Sequence, residues 1–204
     1  MKLISTLVGA AALCAAIPAV AAPVTLDFED QTSFDSVTFP ANPGIAANAA
    51  LVALANDGSG NGVPDGQFFS NNPSGDVVMF VFGPQPGERA EITTTAGFGG
   101  SASFSYSASA AGSVYARDAS GAILDQFDFL ANSLGSETST PFATWGLGTL
   151  TFANVAYSLD FTDAAGVALF DDVQVNAVPL PAAAWLLLSG LGGLGAMVRR
   201  KRKA

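Results

Sequence analysis

Five short runs, GDVVMFVFG, SASFSYSAS, GSVYARDASGAILDQFDF, GTLTFANVAYSLDF and GVALFDDVQV, most constrain what this chain can become. Each is rich in β-branched or aromatic residues, several alternate in polarity, and Gly, Asn, Asp and Ser separate them, which is how strands and turns read in sequence. Within the third run, Asp118-Ala119-Ser120-Gly121 predicts a hairpin turn between two strands. Residues 22–177 contain no long stretch with a helical period. Many strands without helices predict an all-β fold, an antiparallel β-sandwich, and a body of this length suffices for two sheets around an apolar interior.

Charge is distributed unevenly. The chain has 8 Lys and Arg residues, but Lys2 stands at its start and Arg199, Arg200, Lys201, Arg202 and Lys203 at its end. Only Arg89 and Arg117 remain in the body, against 17 acids, which leaves the body near −15. Such a field repels phosphate backbones and excludes nucleic acid as a partner.

The first 21 residues read as a secretory signal peptide: Lys2, an apolar run, then small residues at Ala19 and Ala21, with cleavage expected after Ala21. Cys14 raises a lipoprotein signal as the alternative, but bulky Leu13 precedes it. The mature chain then has no Cys, and the whole chain has no His. That excludes disulfides, thiol and Ser-His-Asp nucleophiles, and imidazole-bound zinc. Carboxylate chemistry stays open in principle, as in glycoside hydrolysis. The acids are scattered through turn-like contexts, however, and no catalysis is assigned.

At the other end, residues 178–204 form a distinct tail. Leu180 to Val198 is 19 residues, about 28 Å as a helix and close to the roughly 30 Å of a bilayer core. It reads as one transmembrane helix, with the basic cluster Arg199–Lys203 kept cytoplasmic and the body outside. A permanent single-span anchor is one reading. The order Val178-Pro179-Leu180-Pro181-Ala182, apolar helix, basic cluster resembles the PEP-CTERM class of sorting tails, in the variant with VPLPA in place of Pro-Glu-Pro. The resemblance implies recognition by an exosortase-type processing enzyme in the inner membrane, followed by release or transfer of the body to the cell surface, in bacteria that make exopolysaccharide.

The body, residues 22–177, is similar over most of its length to galactose-binding-like jelly rolls. The likeness is carried by VTLDFED, VYARDASGAIL, Trp145 with LTFANVAYSLDF, and FDDVQV. In such modules aromatic residues on loops often set the ligand face, so Trp145 is a candidate carbohydrate contact, with core packing as the other reading.

Two places suggest calcium. In NDGSGNGVPDG, Asp57, Ser59, Asn61 and Asp65 take positions 1, 3, 5 and 9 of a calcium loop, with Gly62 at the sharp turn and Phe68 where a bidentate acid is expected. In the closing strand, Val167, Leu169, Asp171, Val173 and Val175 share a parity, which puts Asp171 on the apolar face unless a bulge intervenes. The jelly-roll resemblance implies a structural Ca²⁺ joining a final-strand Asp to a first-strand acid, here Asp171 with Asp27 or Glu29, and Asp172 as a weaker candidate. The alternative is an Asp171 at a bulge, bonded to backbone N–H groups. Taken together, the sequence predicts an exported surface or extracellular-matrix protein with a structural or adhesive role. A calcium-supported carbohydrate-binding module acting on exopolysaccharide is the second reading.

Overall fold

The described residues form ten strands: β1 (Pro23–Leu26), β2 (Ile45–Ala47), β3 (Leu51–Ala55), β4 (Val77–Val81), β5 (Glu91–Ala108), β6 (Gly112–Arg117), β7 (Ile123–Phe129), β8 (Gly146–Thr151), β9 (Ala156–Asp160) and β10 (Ala168–Ala177). The structure is a computed structural model and describes residues 23–42, 44–56, 68–133 and 142–178. The signal peptide and the apolar tail helix expected from the sequence lie outside the described residues. Among the described residues no helix is long and apolar enough to cross a membrane, and the single helical element is a 3₁₀ turn at Thr162–Ala164. Every paired strand is antiparallel. The all-β expectation holds.

β5 is the longest strand, at 18 residues, and it serves two groups of neighbours. Its first part, Glu91 to Thr94, pairs with β2 on one side and β9 on the other. From Phe98 onward it pairs with β10 and β8. The register breaks between Thr93 and Phe98, where Gly97 adopts φ +91 and a Cβ would overlap Val155. Only glycine meets both demands, and the strand bends there.

The bend sorts the strands into two groups in a sandwich-like arrangement. One group holds β3, β4, β10, the second half of β5 and β8, with β1 beside β10. The other holds β2, the first half of β5, β9, β6 and β7. The core between them is aromatic. The Phe104 ring lies 5.6 Å from those of Phe127 and Phe170 and 6.0 Å from that of Phe161, so β5, β7 and β10 meet at one residue. A smaller cluster of Leu54, Phe69, Val78, Phe142 and Leu169 packs on the outer face of β3, β4 and β10.

β1 closes the body by pairing with β10, from Pro23 opposite Asn176 to Leu26 opposite Val173. The expected hairpin between β6 and β7 is present, with Asp118 accepting from Ser120 and Ala122 at one carboxylate oxygen. Three elements were not evident from sequence: β2, β3 and the first half of β5. Their residues, IAA, LVALA and EITTTAG, are Ala-rich or Gly-interrupted, and pairing with neighbours makes them strands rather than intrinsic preference.

Phe104→Ala removes the ring on which three strands converge, at an expected cost of about 3–5 kcal/mol. For a body of this size the melting midpoint of the variant should fall by roughly 10 °C, read by circular dichroism.

Candidate functional site

The acids singled out in sequence gather where the first and last strands meet. At Asp172 the backbone turns left-handed, φ +48, and the β10–β5 register moves from Asp171 opposite Ser105 to Gln174 opposite Ser103. One extra residue is accommodated, a bulge. Parity flips across it: Ala168 and Phe170 face the main core before the bulge, Val173 and Val175 after it, and Leu169 packs in the outer cluster. The sequence places Asp171 on the face of Val173 and Val175 unless a bulge intervenes, and here the bulge intervenes. Asp171 lies on the face of Leu169.

Asp171 is nonetheless fully buried, with 0% exposure, because the segment leading into β4 lies against it. Ser74 donates its backbone N–H to Oδ2 at 3.0 Å and its hydroxyl to Oδ1 at 2.7 Å, and Asp172 donates its own N–H to Oδ1 at 2.7 Å. The same segment is gripped from the first strand. Phe28, two residues past β1, turns left-handed at φ +66 with its ring in the core, and the next residue, Glu29, accepts the N–H groups of Asp76 at 2.8 Å and Val77 at 3.1 Å. Gly75 sits between the two carboxylates, where any Cβ would overlap that of Glu29. First and last strands are therefore tied by two carboxylates on one amide-rich segment, Ser74 to Val77.

Burial pushes the Asp171 carboxyl up to about 6; the Ser74 and Asp172 hydrogen bonds oppose that rise, and the charge of Asp172 adds to it. Among the described residues no group of three or more His, Cys, Asp or Glu side chains gathers that could hold a metal ion. Glu29 and Asp171 meet the amide segment rather than each other, and Asp27 is exposed, with its carboxylate 3.5 Å from the Glu29 N–H. As placed, Asp27, Glu29, Asp171 and Asp172 do not form a ligand set. Asp57, Ser59, Asn61 and Asp65 lie outside the described residues.

Trp145 is half-buried against the outer cluster, and its indole N–H donates to the Ser70 carbonyl at 2.9 Å. Its donor and one side of its ring thus serve packing. The body's two cations converge on a third acid, Asp160, which is 1% exposed. Arg117 Nε is 2.8 Å from Asp160 Oδ2, while the N–H of Thr162 donates to Oδ1 at 2.9 Å. Of the sorting motif, Val178 is described, and its N–H donates to Gly97 O at 3.0 Å. Pro179, Leu180, Pro181, Ala182 and the basic cluster Arg199–Lys203 lie outside the described residues.

Sequence reasoning missed the donors of the clasp. NNPSGDV has the composition of a turn, and nothing in it marks the amides of Ser74, Asp76 and Val77 as carboxylate partners. The convergence of both arginines on Asp160 had a signal, their rarity, but that does not say which of 17 acids they meet. No family model, curated protein or solved structure matches the chain.

The clasp gives a pH dependence of definite sign. The folded-state carboxyl of Asp171 titrates near 6 against an ordinary 3.8, so its contribution to stability is fully present below about pH 4 and is lost as pH rises through about 6. The loss is on the order of 2–3 kcal/mol. Melting midpoints of the parent, measured from pH 4 to 7.5, should fall relative to those of Asp171→Asn, which removes the titration. A midpoint that drops on adding chelator would instead put a cation at the clasp.

Proposed function

We propose that this is an exported surface or extracellular-matrix protein, processed at its C-terminus by an exosortase-type enzyme, with a jelly-roll body in a structural or adhesive role. The observation that carries the reading is the closure of the body at its own ends. Pro23 pairs with Asn176, so β1 begins where β10 ends and the two ends of the body lie side by side. A body closed in this way keeps its core when either flank is removed, as double processing requires. Val178 is the last residue hydrogen-bonded to the body, and Pro179 and Pro181 follow immediately. Proline at alternate positions favours extended chain, the form in which a processing enzyme takes its substrate.

The body's composition suits this life. It is thiol-free and strongly acidic, and it brings together no His-based or thiol-based catalytic group. What it offers to the outside is surface. Intact-mass analysis of protein shed from, or attached to, the cell surface tests the reading. Chains beginning at Ala22 and ending between Val178 and Ala182 are expected. Recovery of chains that still carry Arg199 to Lys203, in the inner membrane alone, would establish a permanent anchor instead.

A further inference from the structure

On the second strand group, away from the clasp, the register sets two rows of polar side chains across neighbouring strands: Arg117, Ser158 and Thr93 in one, Tyr115, Asp160 and Glu91 in the other. Beside them an open groove of about 480 Å³ runs between the start of β5, β9 and the β6–β7 hairpin turn. That volume lies within the range of small-ligand sites. Arg89 lines this groove, while Arg117 stands behind it on the Gly121 carbonyl, and the two are used differently.

Arg117 is committed to the fold. It is 13% exposed, its Nε bonds Asp160 at 2.8 Å, and its Nη1 donates to the Gly121 carbonyl at 3.1 Å, which holds the hairpin turn against β9. With Thr162 also donating, Asp160 is satisfied without further help. Arg89 adds little to that acid: its Nε is 3.8 Å away. Among the described residues its side chain makes one hydrogen bond, a 3.4 Å contact with Glu91, and it is 44% exposed. A guanidinium has five N–H donors, so most of those of Arg89 are available to something else.

We infer that this groove binds an uncharged, hydroxyl-bearing ring, as in a residue of a neutral polysaccharide, with Arg89 as donor and Tyr157 as the surface the ring rests on. The lining carries Arg89 against Glu91 and Asp118, an excess of negative charge, within a body near −15. An anionic ligand is repelled there. Hydroxyls suit every polar group present: carboxylates accept from them, the guanidinium donates to them, and Thr93 and Ser120 do either. Tyr157 lines the groove and is exposed, which leaves an aromatic surface for the C–H side of a sugar. The groove is open to solvent, so a ring within a longer chain can reach it. The assignment moves sugar contact away from Trp145, whose indole N–H is already engaged. It draws on the surface-protein reading only for where the polymer is met.

The test is calorimetric titration of the full-length chain in detergent micelles with maltohexaose, cellohexaose and laminarihexaose, and with an oligouronate of equal length. At least one neutral hexasaccharide should bind, and the uronate at least about tenfold more weakly, ~1.4 kcal/mol. Arg89→Gln and Tyr157→Ala should each weaken the neutral sugar by about tenfold or more at an unchanged melting midpoint, whereas Trp145→Phe should leave affinity intact. Should either groove variant melt early, Arg89→Lys, which keeps the charge but loses the planar fork, gives the same reading through reduced affinity. The inference is overturned if no neutral sugar binds, if the uronate binds as well, or if the groove variants bind like the parent. None of these results touches the mass analysis that tests export and processing, so the two readings fail separately.

Discussion

Every buried carboxylate in this body has to find a proton donor in a chain that supplies almost no cations. An ionised carboxylate removed from water without partners costs several kcal/mol. With Arg89 and Arg117 as the only positive side chains between Lys2 and Arg199, a salt bridge is available for one such acid at most places in the fold. Asp160 takes it, through Arg117. Asp171 is left to the chain itself, and the structure answers with backbone: the bulge at Asp172 turns its own N–H onto Asp171, and the Ser74 segment adds two more donors. The bulge, the left-handed Asp172, the glycine at position 75 and the reach of Glu29 are parts of one solution to that shortage.

The two solutions occupy different strand groups. The amide clasp belongs to β1, β4 and β10, the arginine pair to β5, β6 and β9, and β5 passes between them through the bend at Gly97. The aromatic core is common to both, with Phe104 on β5 touching Phe170 from one group and Phe127 from the other. The polar devices therefore sit on outer faces and rims, backed by a single apolar interior. This is the ordinary division in a half-buried antiparallel sheet, where one face of each strand packs and the other meets water.

Much of this was legible in the residues. The runs around Val77, Ser101, Val114, Leu124, Thr149 and Ala168 alternate or carry β-branched and aromatic side chains, and each became a strand. The Asp118 to Gly121 turn was equally plain. LVALA and EITTTAG were not, because a short Ala-rich or Gly-interrupted run becomes a strand only when a partner is in place. The parity of β10 holds on each side of Asp172 but not across it, and the bulge stood in the sequence only as an alternative, since a period of two carries no mark of an inserted residue. A concentration of interest at Asp171 and Glu29 was visible from charge and position. Backbone N–H groups stood as the alternative partners of Asp171, but which ones was not legible, because such groups look alike in every sequence.

The pairing of β1 with β10 has a mechanical meaning. Tension entering the body beyond Val178 is delivered to the end of β10, a strand with β5 along one edge and β4 and β1 along the other. Hydrogen bonds on both edges lie across the direction of pull and share the load, so the strand must be sheared past its neighbours rather than peeled from them one bond at a time. Pulling from the Pro23 end loads a four-residue strand with β10 as its partner and the Glu29 grip behind it. One molecule thus presents a stiff handle at one terminus and a compliant one at the other, and which of them bears force depends on where the chain is held.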